Sequence, residues 1–458
     1  MFDFKQFLVP GKKGLMIGIG GVSMSPLAEV LHDSGLVISG SDMHEGVNTQ
    51  NLRKKGIQIH IGHRAENVTP DLDFVVRTAA VHDDNPEIVA AHAQNIPVFE
   101  RTQAWGAIMQ AYPNAVCIAG THGKTTTTSM CTHIMMAADR DPTVMIGGTL
   151  PLLRAGHRVG GGDTIIFESC EYYNSFLALN PSIAIILNVE EDHLDFFKDL
   201  DDIKTSFRAF AERVPATGCI IANHDDENTM DLLRDIDRTV FTFGLTAEAD
   251  VYAANIVRKG ARCEFDIVCG GEIYTRATIH VPGEHNVRNA LAAAAAAIRL
   301  GISANAVKYG LAGFQGAGRR FEFKGRFQGA DLYDDYAHHP SELSAVLDAV
   351  ESLDYERIIV VFQPHTYSRT KALFSQFVEQ LRRPTITYLA EIFAAREQNT
   401  IGISSADLAK EIPNARFFPS FAEIENTLRD VARPGDIILT VGAGDVFRIG
   451  EHLLEKES

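Results

Sequence analysis

Gly120, Gly123, Lys124 and Thr125, within the stretch "IAGTHGKTTTTSM" (118–130), have the types and order that hold a polyphosphate. An apolar strand runs to Ala119, the chain turns on the two glycines, and a helical pattern begins near Lys124. Free backbone N–H groups at such a helix start, with its positive end, suit triphosphate oxygens. Lys124 is placed to lie against the β- and γ-phosphates of ATP and the Thr125 hydroxyl to reach Mg2+, while Thr121, His122 and Thr126 complete the cradle. The loop is shorter than the usual G-x-x-x-x-G-K form, because only Thr121 and His122 separate Gly120 from Gly123. A turn that merely caps a helix is the competing reading, but strand, turn, small polar run and helix all agree on a phosphate loop.

Other groups with chemistry follow strand ends. Glu168 and Glu171 in "FESCEYYNSF" and His193 in "NVEEDHLD" come after two successive apolar runs. Thr125, Glu168 and His193 offer oxygen and imidazole ligands for Mg2+, and Glu171 is read as a group near the metal or the substrate. In "GEHNVRNA", His285 and Asn289 are one helical turn apart and share a face. His339 in "YDDYAHHP", and His365 with Arg369 in "PHTYSRT", follow later strands. A guanidinium can grip a carboxylate through two parallel hydrogen bonds, so this basic group suits the carboxylate of an incoming amino acid. Near the N-terminus "GIGGVSM" resembles a dinucleotide fingerprint with Ser23 in place of its third glycine, and Asp42 follows at the distance that meets a ribose or uracil. An NAD site and a UDP-sugar site both use such a turn. The phosphate loop favours the UDP-sugar, since a hydride transferase needs no such loop.

These groups must be placed by strands and helices. "GLMIGIGG", "GLVISGSD", "FVVRTAAV" and "IPVFE" alternate with helical patterns, which predicts a parallel sheet over residues 1–112. "NAVCIAG", "DTIIFES", "SIAIILNV", "GCIIAN" and "TVFTFG" predict a second helix-covered sheet over 113–317, closed by the helix containing "ALAAAAAAI". After the Gly-rich joint "FQGAGRRFEF", the runs "ADLYDD", "RIIVVFQPH", "TITYL" and "DIILTVGAG" predict a third α/β domain over 318–458.

At 458 residues the chain is too long for one core, which agrees with three domains. A net charge of -17 repels nucleic acid and acidic membranes, so an anionic substrate must be held by a local positive site. Six cysteines without paired spacing and an N-terminus without a signal pattern fit the cytoplasm, and the longest apolar run falls short of a membrane span. The acidic surface suits a monomer or a homodimer.

"GTHGKTTT" is the phosphate loop typical of the Mur ligase family. Together with "GIGGVSMS", "SGSD", "NVEEDHLD", "GEHNVRNALAA", "GAGRRFEF", "YDDYAHHP", "FQPHTYSRT" and "EIFAAREQNTIGIS", in that order, it makes the chain resemble that family over nearly its whole length. The resemblance implies an N-terminal Rossmann-like UDP-binding domain, a central P-loop ATPase-like domain and a C-terminal Rossmann-like α/β domain. It implies that ATP drives amide formation between the lactyl carboxylate of UDP-N-acetylmuramate and L-alanine through an acyl phosphate, in peptidoglycan precursor synthesis. By the same resemblance Gly18, Gly20, Gly21, Ser23, Met24, Ser41 and Asp42 surround the UDP part, with Thr78 and Ala79 on its far side. His285 meets ATP's phosphates and Asn289 its base, while Arg320, Asp335 and Tyr336 hold the nucleotide from the third domain, so that ATP is shared between domains.

Two departures stand out. Several siblings carry a carbamylated lysine downstream of the histidine, where this chain has Arg208 with Lys204 nearby, so no carbamate is expected. Many relatives have arginine where Thr366 stands, which leaves Arg369 as the main clamp. His193 and His339 are candidates for accepting the amine's proton. Three other readings remain: a recycling ligase that adds a tripeptide to the same nucleotide sugar, a folylpolyglutamate-synthase-like ligase, which lacks such an N-terminal domain, and a nucleotide-sensing module without turnover.

Overall fold

The computed structural model describes residues 3–78, 80–194, 196–395 and 397–455. They form an α/β protein of two compact units. The first comprises Met1–Val189, Asp201–Thr242 and Ala292–Ala306, and the second Glu190–Leu200, Phe243–Leu291 and Val307–Ser458.

The first unit opens with five parallel strands: β1 (Lys13–Ile17), β2 (Val37–Asp42), β3 (Gln58–Ile61), β4 (Phe74–Arg77) and β5 (Val98–Glu100), in the order β3-β2-β1-β4-β5. The order reverses direction beside β1, so the turn after β1 lies at a topological switch point, where open α/β sheets bind ligands. Leu15, Ile17, Val75, Ile88 and Ala91 pack one side of this sheet. Phe4 and Phe7 lay their rings against Phe74 and Phe99, with centroids 5.1–5.6 Å apart.

Six further strands complete this unit: β6 (Asn114–Ala119), β7 (Thr143–Leu150), β8 (Ala155–Arg158), β9 (Thr164–Glu168), β10 (Ile183–Ile186) and β11 (Cys219–Asn223). Their order is β11-β10-β6-β9-β7-β8, parallel except for the β7–β8 hairpin. Strand β6 is central and buried from Ala115 onward, so its end carries the Gly120–Gly123 turn out of the middle of the sheet. The alanines from Ala292 to Ala297 are at most 1% exposed, as expected of a close-packed internal helix. No helix among the described residues is long and apolar enough to cross a membrane.

One expectation changes. After β12 (Val240–Gly244), residues 251–279 do not continue a parallel, helix-covered sheet. They form an antiparallel meander in the second unit, β13 (Val251–Lys259), β14 (Arg262–Cys269) and β15 (Glu272–Ile279). Tight turns replace the crossover helices here, and Gly260, Gly270 and Gly271 supply the positive φ values (+56°, +61°, +79°) that such turns need.

The second unit then builds β16 (Glu322–Phe327), β17 (Ala330–Asp335), β18 (Arg357–Phe362), β19 (Ile386–Leu389), β20 (Ala415–Phe417) and β21 (Asp436–Val441), in the order β16-β17-β21-β18-β19-β20. All pairs are parallel except β16–β17. Successive residues feed opposite cores: Val360, Phe362, Leu439 and Val441 pack one face, Ile359, Val361 and Ile438 the other. A sheet buried on both faces reads as a continuous apolar run, which is why "RIIVVF" and "DIILTV" were legible as strands.

Candidate active site

Between β6 and the helix Lys124–Ala137, Gly120 has φ +149° and Gly123 +83°, and a Cβ on Gly120 would meet Leu187 Cβ at 2.9 Å. Only glycine fits both positions without strain. Asn188 braces the loop from β10's end: its Oδ1 accepts the His122 N–H (2.8 Å), its Nδ2 donates to the His122 carbonyl (3.2 Å), and its backbone carbonyl accepts the Thr121 N–H (3.0 Å). Asn188 lies in the same "NVEEDHLD" string as His193 and carries no motif signal of its own.

Lys124 is mostly buried, and its Nζ donates to the Gly120 carbonyl (2.5 Å), the Thr121 carbonyl (3.1 Å) and both oxygens of Glu171 (3.1 and 2.9 Å). Burial opposes its charge, but the Glu171 carboxylate outweighs that and holds the ammonium above its ordinary value. The Thr125 hydroxyl donates to Glu168 Oε1 (3.0 Å), and Glu168 Oε2 accepts the Gly147 N–H (2.7 Å). A Cβ on Gly147 would lie 2.4 Å from Glu168 Oε1, so the carboxylate fills a cradle that only glycine leaves open. Thr126 is buried in the first turn of the helix. After Glu171 the backbone is strained, with Tyr173 and Asn174 both at φ +54°.

Lys204 pairs with Asp231 (3.1 Å), and Arg208 donates to the carbonyls of Leu232 and Arg234 (2.8 Å each).

At the β1 turn, a cavity of about 380 Å³ is lined by Gly20, Gly21, Asp42 and residues 44–49. Gly18 has φ +77°, and a Cβ there would meet Thr78 Cγ2 at 2.9 Å, which places Thr78 against the turn. Asp42 braces the turn itself, Oδ2 accepting the Gly20 N–H (2.8 Å), while Asn48 Nδ2 donates to the Gly20 carbonyl (2.8 Å). Ser23 is the N-cap of the helix Met24–Asp33. Met24 and Ser41 do not present side chains to the cavity: they are 1% and 0% exposed, and the Ser41 hydroxyl donates to the buried Glu87 (2.7 Å). Ser41 serves the turn through its carbonyl, which accepts the N–H groups of Gly18 and Ile19. Ala79 lies outside the described residues.

In the second unit, His193 adopts φ +52°, a left-handed conformation uncommon outside glycine and frequent at functional sites. Its neighbour Asp192 accepts from the Arg369 guanidinium at 2.7 Å, and both side chains are nearly buried. Burial opposes Asp192's charge, yet Arg369 overrides it and holds the carboxyl well below its usual range. Arg369 also donates to His365 Nδ1 (3.0 Å), and the His365 ring lies 5.5 Å from that of His338. Thr366 carries φ +64° between them. His339, in contrast, is the N-cap of the helix Pro340–Glu351: its Nδ1 accepts the Ser341 N–H, and the residue is 5% exposed.

The Gly-rich joint is pinned by Arg319, which donates to Asp334 and to the carbonyls of Gly442 and Gly444. The guanidinium groups of Arg319 and Arg320 lie 4.9 and 4.8 Å from the Tyr336 ring centre. Both oxygens of Asp335 accept backbone N–H groups, from Phe321 and Ala337 (2.7 Å each), and burial pushes its carboxyl up to about 6. Burial likewise pushes His285 down to about 4. Asn289 is buried on the same helix and donates to Asn286 (3.3 Å).

Comparison with known proteins follows this geometry. Three family profiles match in chain order: "Mur ligase family, catalytic domain" over residues 15–113, "Mur ligase middle domain" over 118–297 and "Mur ligase, glutamate ligase domain" over 319–444. The chain is 46% identical over 445 residues to a UDP-N-acetylmuramate–L-alanine ligase of Lachnospira eligens, covering 96% of this chain and 97% of that one. A solved UDP-N-acetylmuramate-alanine ligase from Thermotoga maritima superposes with a TM-score of 0.79 at 28% identity, over 97% of this chain and 99% of that one. A murein peptide ligase from Psychrobacter arcticus shares the fold at a TM-score of 0.69 and 23% identity, over 97% and 98%.

Proposed function

Because the chain belongs to the Mur ligase family, we propose that it is an ATP-dependent amide ligase that joins L-alanine to the lactyl carboxylate of UDP-N-acetylmuramate. ADP and phosphate are released, and the product is a peptidoglycan precursor. The observation that carries this reading is the buried Lys124 held in the glycine turn beside the Thr125–Glu168 pair: a cation, backbone donors and hard oxygen ligands gathered at one helix start.

Labour divides by segment: residues 1–112 take the UDP-sugar in the cavity beside Gly20 and Asp42, 113–317 take the ATP phosphates on residues 120–126, and 318–458 take the amino acid at Arg369. His285, Asn289, Arg320, Asp335 and Tyr336 serve the rest of the nucleotide. The lactyl carboxylate attacks the γ-phosphorus, and Lys124 with the loop N–H groups neutralises charge on the transferring phosphoryl group. The amine of L-alanine then attacks the acyl phosphate, and phosphate leaves. No serine or cysteine nucleophile is required, so positioning and electrostatics carry the rate. The hydroxyl and carboxylate of Thr125 and Glu168 suit Mg2+, a hard cation that prefers oxygen ligands. Bound there, Mg2+ supplies charge neutralisation at the phosphates.

With UDP-N-acetylmuramate, ATP and Mg2+ fixed, L-alanine is expected to support phosphate release and a product heavier by one alanyl residue. The tripeptide is expected to support neither. Release with the tripeptide alone would move the chain to the recycling reaction.

A further inference from the structure

Hydrogen-bond partners fix the protonation of two neighbouring imidazoles in the second unit. A guanidinium only donates, so His365 Nδ1, which receives Arg369, is an acceptor and the ring's proton sits on Nε2. A carbonyl only accepts, so His338 Nδ1, 3.0 Å from the Tyr336 carbonyl oxygen, carries its proton there, and Nε2 bears the lone pair. The Glu342 carboxylate, 3.3 Å from the same Nδ1, reinforces that tautomer. No described residue bonds His338 Nε2. The two rings meet edge to face and the His365 ring stacks on Phe393, so the His338 ring is held in a fixed frame against the imidazole that Arg369 binds.

Resting on the amide-ligase reading above, with Arg369 as the carboxylate clamp, we propose that His338 Nε2 accepts the proton given up by the amino group of the incoming amino acid, with Glu342 and the Tyr336 carbonyl orienting the ring. The nitrogen lone pair forms the C–N bond as the carbonyl π pair moves to oxygen. The cationic nitrogen passes a proton to His338 Nε2, the C–O bond to phosphorus's oxygen breaks with its pair on the departing phosphate, and the imidazolium returns its proton to that phosphate or to water. An acceptor of modest basicity suffices, because C–N bond formation has already acidified the nitrogen.

The surroundings agree. Glu342, Arg369, Asp192, His365 and Tyr336 are charged or titratable groups around this ring, and burial, only partly opposed by Glu342, pushes His338 down to about 4. It is therefore neutral, with its lone pair available, at physiological pH. The nearby alternatives are spoken for: His365 Nδ1 accepts from Arg369, His339 Nδ1 caps its helix, and Asp192 is paired with the Arg369 guanidinium.

His338→Asn tests this, because an asparagine N–H can still donate to the Tyr336 carbonyl while the imidazole lone pair is lost. Two acceptors are compared in the full-length enzyme: L-alanine, and hydroxylamine, which is unprotonated at neutral pH and traps the acyl phosphate as a hydroxamate without a base. The alanyl product should form on the order of 10² to 10⁴-fold more slowly in the variant, with hydroxamate formation within about twofold of the parent, as positioned acid–base catalysis acts on the amine step alone. Hydroxamate falling in step with the alanyl product, or an unchanged alanyl rate, would overturn the assignment. Failure of the parent enzyme to give either product would instead remove the ligase reading itself.

Discussion

Lys124→Ala should lower turnover on the order of 10² to 10⁴-fold while leaving UDP-N-acetylmuramate binding nearly intact. The lysine is the only side-chain cation hydrogen-bonded within the glycine turn among the described residues, whereas the cavity proposed for the UDP-sugar is lined by Gly20, Gly21, Asp42 and residues 44–49, at a different sheet. Removing it also strands Glu171, 3% exposed, without its cation. Removing one partner of a buried ion pair costs about 3–5 kcal/mol, so the single variant should melt earlier than the parent. Lys124→Ala combined with Glu171→Gln should recover much of that stability and none of the turnover. Titration of UDP-N-acetylmuramate, thermal melting and steady-state kinetics on the two variants separate these effects. Equal loss of sugar binding and turnover would mean that the loop has been given the wrong role.

Arg369→Ala is expected to raise the KM for L-alanine by about 10²-fold or more, and Arg369→Lys to rescue little of it, because an ammonium cannot reproduce a two-pronged grip. Arg369 is engaged by Asp192 in the described structure, so the amino acid's carboxylate must share or displace that partner. Asp192→Asn with Arg369 intact should therefore keep L-alanine affinity, and the Asp192→Asn, Arg369→Ala double variant should regain stability lost in Arg369→Ala without regaining affinity. The sign of the pH effect follows from Asp192's lowered value. The ion pair contributes fully above the ordinary carboxylate range, and its contribution fades as pH falls through the folded-state value. KM values for L-alanine that ignore Arg369 would place the amino acid elsewhere.

What could be read without coordinates was whatever is local. The glycine turn is strand, turn and helix in consecutive residues, so its backbone course through Gly120, Gly123 and Lys124 was legible, as were the apolar runs of the doubly covered sheets. What required tertiary structure was harder. Ser41 and Met24 sit in a motif that touches nucleotides elsewhere, yet burial turns both side chains inward. The meander over 251–279 was missed because antiparallel pairing depends on which strands fold back, although Gly260, Gly270 and Gly271 marked its turns. Asn188, 66 residues from the loop it braces, gave no signal of its own. In "AHHP" two adjacent histidines look alike. Pro340 at the first helical turn was the available clue, since it makes His339 the cap and leaves His338 to face Arg369's neighbourhood.

In the reaction proposed above, amide formation requires that the carboxylate be phosphorylated first. UDP-N-acetylmuramate labelled with ¹⁸O in its lactyl carboxylate, turned over with ATP, Mg2+ and L-alanine, tests it most directly. One labelled oxygen is expected in each inorganic phosphate released and one retained in the alanyl amide, since the acyl phosphate breaks between carbon and the bridging oxygen. Unlabelled phosphate released alongside an alanyl product, or phosphate release that does not depend on L-alanine, would contradict it.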